Sequence, residues 1–147
     1  MLSESDEGLA MESDASMQAP QDWVLTDVAL IIKSPGLDST MLTRCLGITP
    51  TLVVEPGTDP RDPAGEWRFQ CDERTTRDFR QQLDIVLSSV EPKQGELQRL
   101  SSGGYDVHLR VYGFTHDEAF IGFSHEEWER ISGLGVSLEL APNTNAR

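Results

Sequence analysis

Residues 23–33 have the sequence WVLTDVALIIK. It is rich in β-branched residues and apolar on both alternating sets of positions, which is typical of a strand that is buried on both faces of a sheet. Residues 23–33 are therefore predicted to form a central strand, and the remaining elements must pack around it.

Two main helices are predicted from apolar spacing and from the residues at their ends. Asp38 or Ser39 caps the first helix, which ends at Gly47. The second helix, residues 75–90, carries apolar side chains at the spacing of one buried stripe. Shorter helices are predicted at residues 93–104 and from residue 124, and further strands at residues 49–55, 66–72, 105–114, 119–123 and 136–140.

The predicted elements follow one another in the order β-α-β-β-α-β-β-α-β. This order indicates an α+β domain, in which the helices pack on one face of a mostly antiparallel sheet. Two segments, CLGITPTLVV at residues 45–54 and GLGVSLEL at residues 133–140, each run from a helix end through Leu-Gly-Ile/Val into a strand. The similarity of these two segments favours a ferredoxin-like arrangement, either single or duplicated around one sheet.

Residues 1–22 differ in composition from the rest of the chain. They hold six acidic residues and no Lys or Arg, in a protein with 25 acidic and 12 basic residues and a net charge of −13. Such a segment cannot bury enough apolar surface to offset the entropy lost on ordering. We therefore expect residues 1–22 to be a disordered acidic tail, either solubilising or partner-binding, and residues 23–147 to be a single α+β domain.

Charge and composition exclude several classes of function. A net charge of −13 argues against binding to nucleic acid or to anionic membranes, because both bind proteins through basic patches. We expect neither a secretory signal nor a membrane span, because the N-terminus lacks a basic region and no apolar run approaches the required length. Cys45 and Cys71 form no CxxC pair and no disulfide framework, so we expect two reduced thiols and a cytoplasmic location.

The stretch FSHEEWERI, residues 123–131, resembles the pattern in which two histidines one helical turn apart bind zinc. The position four residues after His125 is Glu129, however, and no third ligand follows in a recognisable pattern. Ser124 and Glu127 match a capping box, which favours the beginning of a helix over a metal site. The buried stripe of that helix is predicted to comprise Trp128, Ile131 and Leu134.

Arg74, Arg77 and Arg80 recur every three residues near the beginning of the second helix. Guanidinium groups and the N–H groups of a helix end could together bind a phosphate or a carboxylate. The alternative is a solvated helix face, on which Arg74 pairs with Asp78 and Arg80 pairs with Asp84. The i+4 spacing favours the ion pairs, and the anion site remains the alternative interpretation.

Asp106, His108, Arg110 and Tyr112 follow one another at two-residue spacing on the strand at residues 105–114. Side chains at this spacing share one face of a sheet, where they could bind a small acid or carry out acid–base chemistry. The outward side chains of a half-exposed strand have the same pattern, and this alternative is favoured.

Several short motifs resemble the bacterial family known as domain of unknown function 4279. They are LGITPT (46–51), GEW (65–67), the helix at residues 79–90 followed by EP, LQRLSSGGYDVHL (97–109), and GFS with LGVSLEL (122–140). The resemblance covers residues 26–140, and Gly47, Trp67 and Gly104 match it at structural positions. It implies a small, mostly bacterial, single-domain α+β protein without established activity, so no catalytic residues are carried over.

The expected function is that of a non-enzymatic acidic binding module that recognises a basic protein partner, as an immunity protein or an adaptor does. The alternative is a small-ligand sensor, with Asp106, His108 and Arg110 and the arginines at 74, 77 and 80 as its ligand-binding residues. A metal-assisted hydrolase acting through His125 and Glu129 ranks third. We expect no cofactor, metal or catalytic residue.

Overall fold

The computed structural model describes residues 22–116 and 119–144, which form five strands and four α-helices. The strands are β1 (Val24–Ser34), β2 (Leu52–Val54), β3 (Gly65–Cys71), β4 (Asp106–Phe114) and β5 (Ser137–Asn143). The helices are α1 (Ser39–Leu46), α2 (Phe79–Val90), α3 (Gln94–Ser102) and α4 (His125–Leu134), with a 3₁₀ turn at Glu91–Lys93. Within the described residues, no helix is long and apolar enough to cross a membrane.

The five strands form one sheet in the order β2-β3-β1-β4-β5. Strand β1 pairs antiparallel with β3 on one side and with β4 on the other, and β2 pairs antiparallel with β3. Strand β5 joins the edge of β4 in parallel. The predictions of a central strand at residues 23–33 and of a mostly antiparallel sheet are therefore confirmed.

All four helices contribute to one hydrophobic core on a single face of the sheet. Val28, Leu30 and Ile32 of β1 are completely buried there, as is Trp67 of β3, whose Nε1–H donates to Thr43 Oγ1 at 3.1 Å. Burial of each such side chain contributes roughly 1.5–3 kcal/mol to folding. The buried helical side chains in this core are Leu42, Leu46, Leu83, Val86, Leu87, Val90, Leu97, Ile131 and Leu134. The predicted α+β class, with helices on one face, is confirmed.

From β1 to β4 the chain follows the β-α-β-β-α-β order of a ferredoxin-like unit, in which α2, the 3₁₀ turn and α3 together form the second helical segment. The ferredoxin-like interpretation is compatible with this order. The described residues contain one such unit in one sheet, and α4 and β5 extend its edge.

Helix α2 begins at Phe79, four residues after the predicted beginning at Thr75. The carboxylate of Asp78 accepts a hydrogen bond from the backbone N–H of Arg80 at 2.9 Å, and the hydroxyl of Thr76 accepts one from Asp78 N–H at 3.2 Å. Asp78 therefore acts as the N-cap, and the preceding residues form a turn.

The predicted strand at residues 119–123 is absent. Phe120 forms a single β-bridge with Asp22, and the remaining residues of this segment are not paired with a strand. Asp22 lies two residues before β1 begins, so this segment touches the sheet only at the end of its central strand. The predicted disordered segment, residues 1–22, lies outside the described residues apart from Asp22.

Trp128 does not belong to the buried stripe of α4. Its side chain is 50% exposed and packs at a tilt on Phe123, with 6.4 Å between the ring centroids. Ile131 and Leu134 are buried, as predicted. The first turn of α4 therefore lies at the rim of the core, and only the later turns enter it.

Candidate functional site

The face of the sheet opposite the helices is polar, and we call it the open face. Side chains alternate along a strand, so the strands that build the core also supply this face. Ile31 is completely buried on this face, where its neighbours in the strand register are Arg68 and His108. The polar residues of the open face are Asp27, Lys33, Glu66, Arg68, Gln70, Asp106, His108, Arg110, Tyr112, Ser137 and Glu139.

His108 lies between two carboxylates of the open face and is only 8% exposed. Its Nδ1 is 3.2 Å from Oδ1 of Asp106, and its Nε2 is 3.2 Å from Oε1 of Glu139. The second contact lacks hydrogen-bond geometry, so Nε2 has no hydrogen-bond partner among the described residues. Arg110 Nε donates to Glu139 at 3.0 Å, and this bond lowers the pKa of Glu139. The predicted row of Asp106, His108 and Arg110 is thus brought together, with Glu139 added from β5.

A depression of about 250 Å³ lies in the open face beside this row. Ala29 of β1 lies between Gln70 of β3 and Arg110 of β4 in the strand register, and its methyl group is too short to fill the depression. The lining residues are Asp27, Ala29, Arg68, Gln70, Arg110 and Tyr112.

Asp27 is the unusual member of this lining. It is half-buried, and its carboxylate forms no hydrogen bond or ion pair with any described residue. Burial raises the pKa of Asp27, and the negative charges of Asp72 and Glu73 raise it further, against the opposing charges of Arg74 and Arg68. A carboxylate in this position costs stability in the isolated protein, because it has lost water without gaining a partner.

The two arginines of the depression, in contrast, are already engaged. Arg68 donates from Nε to Oε2 of Glu66 at 2.7 Å and from Nη1 to Oε1 of Gln70 at 3.3 Å. Arg110 is held by Glu139. Both guanidinium charges are therefore compensated from within the chain.

A second concave site, which we call the groove, lies where the beginning of β1 meets the N-terminus of α2. It has a volume of about 590 Å³ and includes the exposed apolar side chains of Val24, Leu25 and Phe120. Leu25 has a φ of 52°, an uncommon conformation for a residue other than glycine, at an irregularity in the pairing of β1 with β4. The lining residues are Asp22, Trp23, Val24, Leu25, Thr26, Arg77, Asp78, Phe79, Arg80, Phe120, Ile121 and Gly122.

Two of the predicted arginines line the groove. Arg77 is exposed and has no ion-pair or hydrogen-bond partner among the described residues. Arg80 lies over the ring of Phe79, with 5.2 Å between Cζ and the ring centroid, and pairs with Glu127 of α4 at 2.5 Å. Because Asp78 already caps the helix, an anion in the groove would depend mainly on Arg77.

The predicted ion pairs of this arginine series are wrong. Arg74 pairs with Asp72 at 2.6 Å rather than with Asp78, because residue 74 precedes the helix and the i+4 spacing does not apply there. Arg80 does not pair with Asp84, whose carboxylate is held by Arg130 of α4 at 2.9 Å. Asp72 is a local partner only two residues from Arg74, whereas the pairing of Arg80 with Glu127 and of Asp84 with Arg130 is tertiary and could not be derived from the sequence.

The six predicted ligand-binding residues therefore do not form one site. Asp106, His108 and Arg110 lie on the open face, whereas Arg77 and Arg80 line the groove. Arg74 is tied to Asp72 and acts electrostatically on Asp27.

The stretch at residues 123–131 is the beginning of α4, as predicted. Ser124 Oγ accepts from Glu127 N–H at 3.0 Å, and Glu127 Oε1 accepts from Ser124 N–H at 2.8 Å, which completes the capping box. His125 and Glu129 form an exposed pair, with 3.1 Å between Nε2 and Oε2. Across residues 22–116 and 119–144, no group of three His, Cys, Asp or Glu side chains is arranged to hold a metal ion.

Sequence reasoning missed Asp27, Arg68 and Gln70 as members of a site. Asp27 is the one acidic residue inside the mainly apolar stretch at residues 23–33, and this exception was the available signal. Arg68 and Gln70 followed the expected outward alternation of β3 and carried no such signal.

Comparison with known proteins identifies the family. A family model described as a domain of unknown function, DUF4279, matches residues 24–145. No curated protein and no solved structure matches the chain. Because the match spans most of the chain, the protein belongs to the DUF4279 family.

Proposed function

We propose that the protein is a non-enzymatic binding domain that recognises a basic protein partner, as an immunity protein or an adaptor does. The observation that carries this proposal is the pairing of charges among the described residues, which include 18 Asp and Glu but only 11 Lys and Arg. Eight of these cations form ion pairs with carboxylates of the same chain: Lys33, Arg61, Arg68, Arg74, Arg80, Arg99, Arg110 and Arg130.

The described residues contain more carboxylates than these ion pairs use. Seven have no ion-pair partner among the described residues: Asp22, Asp27, Asp38, Glu55, Glu73, Asp78 and Glu126. The uncompensated charge is therefore negative, which attracts a basic partner and accelerates its association. The buried side chains of all four helices lie on the other face of the sheet, so the open face can serve as a binding surface.

In this proposal the protein acts in the cytoplasm. Cys45 and Cys71 are free thiols, and a reducing compartment keeps such thiols from oxidation. Binding of this kind requires neither turnover of a substrate nor a cofactor.

The proposal is tested by capture and reconstitution with the full-length chain. A partner retained from a lysate of the source organism is purified, and its affinity is measured at 50 mM and 500 mM NaCl. We expect an equimolar complex with a protein of net positive charge, and an affinity that falls at least tenfold at the higher salt concentration because surface charges are screened. Absence of an equimolar complex, or an affinity insensitive to salt, contradicts the proposal.

A second candidate function is that of a small-ligand-binding domain, and the groove favours it. Its volume of about 590 Å³ falls within the range typical of ligand pockets, and its lining combines exposed apolar side chains with the unpaired Arg77. A thermal-shift screen of organic acids tests this candidate, with Arg77→Gln as the site variant and Arg44→Gln of α1 as the control. A stabilising acid whose effect is lost only in Arg77→Gln supports it, and a flat screen rejects it.

A further inference from the structure

We propose that the depression in the open face is an anchor pocket, which accepts one basic side chain of the protein partner, arginine in preference to lysine, with Asp27 as its counter-ion. This inference rests on the proposed function, because it specifies where the basic partner makes its central contact.

The charges around the depression favour a cation. Each nearby arginine is bonded to its own carboxylate: Arg68 to Glu66, Arg74 to Asp72 and Arg110 to Glu139. Asp27 and Glu73 remain without a counter-ion among the described residues. An anion would have to displace one of the existing carboxylates, whereas a cation meets a carboxylate that is already half-buried and unpaired.

The size of the depression favours a single side chain over a larger ligand. Its volume of about 250 Å³ is below the roughly 300–1,000 Å³ of pockets that take drug-sized molecules. Ala29 leaves the space open, and a larger residue at this position would reduce it.

The lining favours arginine over lysine. A guanidinium group can donate two parallel hydrogen bonds to the carboxylate of Asp27, which a lysine ammonium group cannot match in geometry. Tyr112 lines the same depression and lies opposite Asp27 in the strand register, so its ring offers an aromatic surface on which a guanidinium plane can stack.

The half-buried position of Asp27 also indicates a role in binding rather than in folding. A surface carboxylate that only aids solubility has no need to be desolvated, and a structural one is paired. Insertion of a cation would supply the missing hydrogen bonds, so this position, unfavourable in the free protein, becomes favourable in the complex.

The test is a nuclear magnetic resonance titration of the full-length protein with acetyl-arginine amide, and with acetyl-citrulline amide as its neutral analogue of the same shape. We expect saturable shift changes in the backbone amides around Asp27, Ala29 and Tyr112 with the arginine probe only. Asp27→Asn should weaken this binding at least fivefold. Glu126→Gln, which removes one unpaired carboxylate on α4, should change it less than twofold.

A second variant tests the shape of the pocket while Asp27 stays in place. Ala29→Val narrows the depression with a residue favoured in strands, and should also weaken binding of the arginine probe at least fivefold. Equal shifts with both probes, wild-type affinity in Asp27→Asn, or saturable shifts confined to other surfaces would each overturn the inference.

The two proposals can fail separately. If a basic partner is captured but the arginine probe does not bind at Asp27, the anchor pocket is wrong and the proposed function stands. If the probe binds at Asp27 but no basic protein forms an equimolar complex, the pocket stands and the proposed function is wrong.

Discussion

The buried pair Thr26 and Gln82 allows a stability prediction that can be worked out from its contacts. Thr26 Oγ1 donates to Gln82 Oε1 at 2.7 Å, and Gln82 Nε2 donates to the carbonyl of Thr76 at 2.9 Å. Gln82 is completely buried and Thr26 nearly so. These two bonds join β1 to α2 and to the turn before it, next to the groove.

Removal of either side chain leaves a polar group of the other without its hydrogen-bond partner. Thr26→Val keeps the shape of the side chain but leaves Gln82 Oε1 without a donor, which should cost about 1–3 kcal/mol. Gln82→Met leaves both the Thr26 hydroxyl and the Thr76 carbonyl without a partner and should cost at least as much. The double variant removes both side-chain polar groups, so its cost should fall short of the sum by about 1 kcal/mol or more.

The measurement is chemical unfolding of the four proteins, followed by circular dichroism, with the exposed Thr58→Val as a control that should stay within about 0.5 kcal/mol of the wild type. Additive effects to within about 0.3 kcal/mol would refute the coupling between the two side chains. A negligible cost of Thr26→Val alone would refute the claim that its hydroxyl is an essential donor.

Three further predictions follow from other contacts. Ser124→Ala removes the capping box of α4 and should lower the free energy of unfolding by about 1 kcal/mol, whereas Ser132→Ala in the same helix should stay within about 0.5 kcal/mol. Arg130→Gln should cost about 1 kcal/mol at low salt and less at 0.5 M NaCl, because its pairs with Asp84 and Glu91 join α4 to the middle of α2 and to the 3₁₀ turn after it, at a partly exposed position. Burial raises the pKa of Asp27, so its contribution to stability is present below the unfolded value of 3.8 and is lost as the pH rises through the folded value. Asp27→Asn should therefore raise the melting temperature relative to wild type at pH 7 and not at pH 3, and an equal effect at both would contradict this assignment.

The fold was largely predictable because its elements carry strong local patterns. The apolar stretch at residues 23–33 indicated the central strand, and the buried stripe from Phe79 to Val90 indicated the longest helix. Gly47 and Ser124 indicated where α1 ends and α4 begins. Each of these signals depends only on neighbouring residues, which is why sequence reasoning could use them.

The errors arose where tertiary contacts outweighed local pattern. The segment at residues 119–123 has the composition of a strand, but among the described residues it bridges only Asp22, before β1 begins. Trp128 fits the spacing of a buried stripe, yet the first turn of α4 lies at the rim of the core. Local periodicity cannot reveal either circumstance.

The candidate site was only half predictable for the same reason. The two-residue spacing of Asp106, His108 and Arg110 placed them correctly on one face of β4. Neither the approach of Glu139 from β5 nor the lack of a partner for Asp27 could be derived, because both depend on which strands become neighbours. Pairing across strands that are distant in sequence therefore sets the limit of the prediction.

We propose that this acidic domain binds a basic protein through the open face. The decisive measurement is the affinity of the purified partner for the wild type, Asp27→Asn and Glu126→Gln at equal ionic strength. We expect Asp27→Asn to weaken the complex about tenfold or more, equivalent to about 1.4 kcal/mol, and Glu126→Gln to weaken it less than threefold. Equal losses in both variants would contradict recognition at the open face and leave only unspecific attraction between opposite charges.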